Sequence, residues 1–248
     1  MSTVGKAVSL LELFTLDEPE IGLSDLARKA GLDKATARRL LMALANHRLI
    51  EQEPQSRRSR LARIRDAHFP FVRVAAPVAR ELSLETGETV HLSEFSAGAL
   101  LTVHVELSAK ANRVNVDVGQ ILPLHGTASG IAFLAASRLQ VVSAYLEKPL
   151  QAFTAHTVTG PDTLAKAIAF AAASGYSRSS QGYEEGVHSI GAAILGADGQ
   201  PIGALAVASP VSRVDDAVAA KQGEAAVTAA RLIAARLPAR RDIPHRRG

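Results

Sequence analysis

The sequence predicts an α+β fold in two parts, and two patterns carry that expectation. Residues Ser24 to Leu44, SDLARKAGLDKATARRLLMAL, are two short amphipathic helical stretches broken at Gly31. Farther along, pairs of apolar, strand-like runs are joined by short polar turns and separated by helical stretches, as in an antiparallel sheet flanked by helices.

The elements follow in chain order. From Ala7 to Phe14, Val8, Leu10, Leu11 and Phe14 recur at helical spacing, and Asp17, Glu18 and Pro19 close that helix. Ser24 is the expected N-cap of the next, with Leu26, Ala27 and Ala30 inward. Gly31 makes the turn and Asp33 caps the helix after it, whose buried stripe is Ala37, Leu40, Leu41 and Leu44. The runs LIEQEP and SRLARI flank a polar turn at Pro54 to Arg58, a hairpin that completes a winged helix-turn-helix. Asp66 to Pro77, broken by Pro70, suits a linker, and a helix over Val78 to Thr86 follows. Strands are expected over Thr89 to Phe95 and Leu100 to Leu107, turning at Ala97 and Gly98. Helices are expected from near Thr127 and over Pro161 to Ser174. A hairpin joins Ile190 to Leu195 with Ile202 to Ala208 through GADGQP, and a long helix runs from Asp216 to Leu237.

Composition narrows the function classes. At 248 residues the chain can form one large domain or two ordinary ones, and 47% hydrophobic with 21% charged residues is a globular balance. There is no cysteine, so disulfides, thiolate metal sites and cysteine nucleophiles are excluded. The first residues lack a basic segment followed by an apolar one, and no run is long enough to span a bilayer, so a cytoplasmic location with no membrane partner is expected.

The net charge of +4 says little by itself, but its distribution says more. Arg38, Arg39, Arg48, Arg57, Arg58, Arg60, Arg63 and Arg65 cluster around the helix-turn-helix, and Arg240, Arg241, Arg246 and Arg247 form a basic tail. A helix fits the major groove of B-DNA, and residues near its N-terminus reach base edges. Lys34, Thr36 and Arg38 are therefore the candidate base readers and Arg39 a phosphate contact. Arg57, Arg58 and Arg60 in the hairpin are placed against an adjacent phosphate or the minor groove.

Other chemistries find little support. His91, His104, His125, His156 and His188 form no close ligand pair with a carboxylate, so no metal is expected. His125, between Pro123 and Gly126, suits a residue that orders its loop by hydrogen bonding. Ser129 lacks the GxSxG setting of a nucleophile elbow, and neighbouring Glu184 and Glu185 diverge on any regular element. Neither a catalytic residue nor a cofactor is expected.

Segments spread over nearly the whole chain resemble the IclR family of bacterial transcriptional regulators. They are GKAVSLLELF, LSDLARKAGLDKATARRLLMAL and RLIEQEP, and, more specifically, ETGETVHLSEF, VGQILPLHGTASGIAFLAA, SGYSRSSQGYEEGVHSIGAAIL and GALAVASPVSR. The resemblance implies a winged helix-turn-helix, a linker helix and a C-terminal GAF/PAS-like effector-binding domain. It also implies a homodimer or dimer of dimers on partly palindromic operator DNA, controlling catabolic operons for aromatic compounds or small organic acids. The expected boundaries are 1–64 for the DNA-binding domain, 65–77 for the linker, 78–238 for the effector domain and 239–248 for the basic tail.

By the same resemblance the effector pocket lies around Leu122 to Gly130, with the Ala128 and Ser129 backbone binding an anion at a helix N-terminus. Val114, Leu122 and Val187 match its apolar wall. Ser179 stands where the family usually has aspartate, Ser189 where it usually has cysteine, and Ala206 and Ala208 where serine is frequent. Those departures leave fewer polar anchors and favour a more apolar or aromatic effector. The wing has Arg57 and Ser59 where a glycine turn and an aromatic are usual, and the linker is shorter than usual. Rival readings are a metabolite-binding sensor or enzyme with a vestigial DNA-binding domain, which the basic recognition helix opposes, and a structural DNA-binding protein, which the large second domain opposes.

Overall fold

The computed structural model describes residues 2–14, 18, 20–46, 49–52, 58–61, 71–96 and 98–237. The chain divides into two compact units, residues 1–68 and 69–248.

In the first unit, α1 (Thr3–Leu11) is capped by Ser2, whose hydroxyl accepts from the Gly5 amide. It starts and ends earlier than the apolar spacing alone suggested, because that cap lies upstream of the spacing. β1 (Ile21–Gly22) leads directly into α2 (Leu23–Lys29). The N-cap is Gly22 rather than Ser24, which sits inside the first turn; strand β1 fixes where the chain enters the helix. Gly31, at φ 63°, ends α2 in a left-handed turn, with Leu32 N–H on Ala27 C=O and Gly31 N–H on Arg28 C=O. α3 (Lys34–Asn46) begins at Asp33, whose Oδ1 accepts from Thr36 N–H at 2.8 Å.

Leu10, Ile21, Leu26, Ala37, Leu40, Leu41, Leu44 and Ile50 form the core of this unit. β2 (Ile50–Gln52) and β3 (Arg58–Leu61) pair antiparallel, and β1 joins the other edge of β3, so the hairpin belongs to a three-stranded sheet.

The second unit opens with α4 (Phe71–Thr86), which starts at Phe71 rather than Val78 and runs through Pro77. Phe71 and Ala75 are buried in the main core, and that burial carries the helix through the stretch that reads as a linker. The sheet is antiparallel, in the order β6-β5-β4-β9-β8-β7. Its strands are β4 (Thr89–Ser96), β5 (Ala99–Glu106), β6 (Ile121–Leu122), β7 (Ser177–Ser180), β8 (Val187–Leu195) and β9 (Pro201–Pro210). The helices are α5 (Ala128–Ala136), α6 (Leu139–Leu146), α7 (Pro161–Ser174) and α8 (Asp216–Arg236).

The register gives the sheet two unlike faces. Val90, Val207 and Ile190 stand in one row and Leu92, Leu205 and Ala192 in the next, and these side chains pack with residues of α4 and α8 such as Ala79, Leu82, Ala226 and Ile233. The opposite face carries the rows Thr89, Ala208, Ser189, Ser179 and His91, Ala206, Gly191, Ser177. Small and polar residues there allow α5 to press closely on the sheet. A Cβ on Gly191 would sit 2.6 Å from the Ala128 carbonyl carbon, and one on Gly130 would overlap the Leu124 backbone.

Candidate functional site

The small-residue face and the start of α5 enclose a cavity of about 50 Å³. Thr127 caps α5, its hydroxyl accepting from Gly130 N–H at 3.1 Å, while the Ala128 and Ser129 amides take no partner among the described residues. Two free amides at a helix N-terminus favour an anion.

Of the residues expected at an effector site, Val114, Leu122, Ala128, Ser129, Ser179, Val187, Ser189 and Ala208 all line this cavity. Ala206 does not. It is fully buried beside Gly191, and because Gly191 has no side chain the first turn of α5 lies close over this row of the sheet. Ser179 donates to Gly126 C=O at 3.0 Å and so ties the sheet to the loop before α5. Val114 is held by Thr89, whose hydroxyl donates to Val114 C=O at 2.7 Å.

Sequence reasoning missed several residues of the same cavity: His91 at its inner end, and Gln120, Tyr183 and Glu184 toward solvent. His91 is buried, and its Nε2 lies 3.2 Å from Ser129 Oγ, while Nδ1 has no partner among the described residues. Burial pushes its pKa from 6.5 down to about 4, so the ring is neutral at neutral pH. At the mouth, Gln120 Nε2 donates to the Tyr183 hydroxyl at 3.2 Å, joining two loops across the opening.

His125 orders its loop, as its setting suggested. Gln151 C=O can only accept, so Nε2, 2.9 Å away, carries the proton and Nδ1 accepts from the Tyr145 hydroxyl at 2.8 Å. Burial raises the Tyr145 pKa, which keeps that hydroxyl a donor. Among the described residues no three His, Asp or Glu side chains gather as a metal site.

In the first unit, Lys34, Arg38 and Arg39 are exposed on α3 and Thr36 is half-buried beside the cap. The hydrogen bond from Thr36 N–H lowers the Asp33 pKa, which keeps the cap ionised. Met42 is 58% exposed, four residues after Arg38 and on the same side of the helix. Arg58 and Arg60 lie on β3, and Arg57 is outside the described residues.

Comparison with known proteins converges on one assignment. Residues 3–54 match the IclR helix-turn-helix domain and residues 67–235 the C-terminal domain of bacterial IclR transcriptional regulators. The chain belongs to the IclR family. Among similar IclR relatives, the glycerol operon regulatory protein of Streptomyces coelicolor is 31% identical over 86% of this chain and 87% of its own. The transcriptional repressor IclR of Escherichia coli is 26% identical over 93% and 88%. A solved structure from Silicibacter sp. TM1040, assigned to the IclR regulators, is 37% identical, covers 95% of this chain and 96% of its own, and has a TM-score of 0.72. An IclR homolog from Microbacterium hydrocarbonoxydans, solved with 4-hydroxybenzoate, shares the fold at a TM-score of 0.71 and 24% identity, over 94% and 98% of the two chains. As an IclR regulator the protein is a helix-turn-helix transcription factor, not an enzyme. Among the described residues no helix is long and apolar enough to cross a membrane.

Proposed function

We propose that this IclR regulator controls a catabolic or metabolic operon in response to a small aromatic or organic acid bound in the cavity at the start of α5. The observation that carries the reading is the meeting of two free helix N-terminal amides with a buried, mostly apolar chamber on the small-residue face of the sheet. The Microbacterium homolog with 4-hydroxybenzoate supports an aromatic acid as the first ligand to try.

The cavity is smaller than the ~150 Å³ that accommodates benzene in a protein interior. An aromatic acid therefore has to widen it, and the loops joined by Gln120 and Tyr183 are the parts that would yield. A ligand that binds only the widened form shifts the protein toward it, which is what a sensor requires.

Operator DNA is read by Lys34, Thr36 and Arg38, with Arg39 and the wing residues Arg57, Arg58 and Arg60 on the backbone. A homodimer, or a dimer of dimers, sets two recognition helices roughly 34 Å apart. The site of action is the cytoplasm, and the domains are a DNA-binding domain to residue 64, an effector domain to 238 that already includes α4 from Phe71, and a basic tail. Footprinting upstream of the protein's own and adjacent genes, with and without 4-hydroxybenzoate and small keto acids, tests the proposal. Protection that no acid alters would overturn the effector half, and an absence of protection would overturn the operator half.

A further inference from the structure

The cavity has two chemically different ends. Ala128 and Ser129 are almost wholly buried, with their amides free, whereas Glu184 is exposed at the mouth beside Gln120 and Tyr183. A carboxylate is repelled by Glu184 and stabilised by the helix amides, so a monocarboxylic acid enters with its charged end foremost. Among the described residues no Lys or Arg lines the cavity to meet that charge. His91 lines the cavity, is buried, and has an Nδ1 with no partner among the described residues. It stands directly across the strand pair from Ala206, whose methyl group offers no polar contact, and it lines the inner end itself.

We propose that His91 is a specificity-determining residue of this site: Ser129 Oγ–H donates to Nε2, and Nδ1–H donates to the carboxylate of an aryl monocarboxylic acid. The inference rests on the effector reading given above. A neutral imidazole has one donor and one acceptor nitrogen; Ser129 Oγ lies 3.2 Å from Nε2, and in the proposed arrangement, where that hydroxyl donates, the proton sits on Nδ1. Burial keeps the empty ring neutral. Among the described residues, the only charged side chain lining the cavity is Glu184 at the mouth; β4, β8, β9 and α5 contribute none. An incoming carboxylate thus meets a hydrogen-bond donor that carries no counter-charge of its own, and a hydroxyl on the far side of the aromatic ring remains near Gln120, Tyr183 and Glu184.

The test uses two isosteres in the full chain, read by calorimetry with 4-hydroxybenzoate. The side-chain amide of Asn reaches the position of Nδ1, and that of Gln reaches the position of Nε2. His91→Asn is expected to bind within a few-fold of the wild type and His91→Gln to lose about tenfold or more. The reverse order would show that His91 only props Ser129, and equal affinity or equal loss in both variants would also overturn the assignment. Nitrogen NMR of the labelled imidazole in the wild-type complex needs no variant: a proton on Nδ1 supports the inference and a proton on Nε2 overturns it. Ala208→Phe separates the two readings, because wild-type affinity in that variant would remove the ligand from this cavity altogether. A wild-type protein that binds no 4-hydroxybenzoate or benzoate at millimolar concentration would overturn the aryl acid class.

Discussion

Gly191 of β8 lies so close beneath Ala128 of α5 that an added methyl carbon would be 2.6 Å from the Ala128 carbonyl. The anion-favouring end of α5 is therefore positioned by the absence of a side chain on the neighbouring strand. Gly191→Ala is expected to lift the first turn of α5, cost about 1–3 kcal/mol of stability and abolish acid binding. Denaturant unfolding and calorimetry on the same sample check it; unchanged binding would mean that the helix start accommodates the methyl group without moving.

Arg38 and Arg39 are exposed on α3 and have no ionic partner among the described residues. Replacing both with alanine is expected to weaken operator binding and to reduce the slope of log affinity against log salt by about 0.9 for each phosphate left without its arginine. Fluorescence anisotropy across a salt series measures both quantities. A double variant with wild-type affinity and slope would remove these residues from the DNA interface.

At the start of the same helix, the Asp33 cap makes a pH-dependent contribution. Its carboxylate accepts from Thr36 N–H, which sets its pKa below the usual 3.8. Stability from this bond is fully present above the unfolded pKa and is lost as pH falls through the lower folded value. Asp33→Asn is expected to preserve the helix and Asp33→Ala to loosen it, lowering the melting temperature and operator affinity together.

His91 gives a second pH effect with the same sign from the opposite kind of group. Unfolded, its imidazole takes a proton below pH 6.5, whereas the fold refuses it until about pH 4. The fold therefore keeps this contribution above pH 6.5 and loses stability as pH falls through the window, by roughly 3 kcal/mol at its lower end. Urea unfolding at pH 7 and pH 4.5 is expected to show a larger loss for wild type than for His91→Asn. Equal losses would show that the ring is not held neutral.

The sequence revealed elements wherever one strong periodicity governed them. The Ile190 to Ala208 hairpin, the capped helices at Asp33 and Thr127 and the long α8 were legible for that reason. β7, with the sequence SRSS, gave no signal, because it is short, polar and at the sheet edge. α6 escaped notice because it has no fully buried residue to mark an inner face. The start of α4 was obscured by Pro70 and Pro77, which read locally as breaks although burial of Phe71 and Ala75 outweighs them. Eight of the cavity residues were reached through resemblance to the IclR family. His91 was not, since its meaning depends on a cross-strand partner, Ala206, and on Ser129 in a distant segment.

The two faces of the large sheet divide the molecule's evolutionary risk. Substitutions among Val90, Leu92, Ile190, Leu205 and Val207 disturb the core shared with α4 and α8, so they threaten folding itself. Changes at Val187 or Ser189 alter the lining of the cavity instead, whereas Ser179 also ties the sheet to the loop before α5 through Gly126 C=O. A sensor built this way can acquire new chemical tastes without renegotiating its architecture, and the same partition marks where a biosensor designer should begin a mutant library.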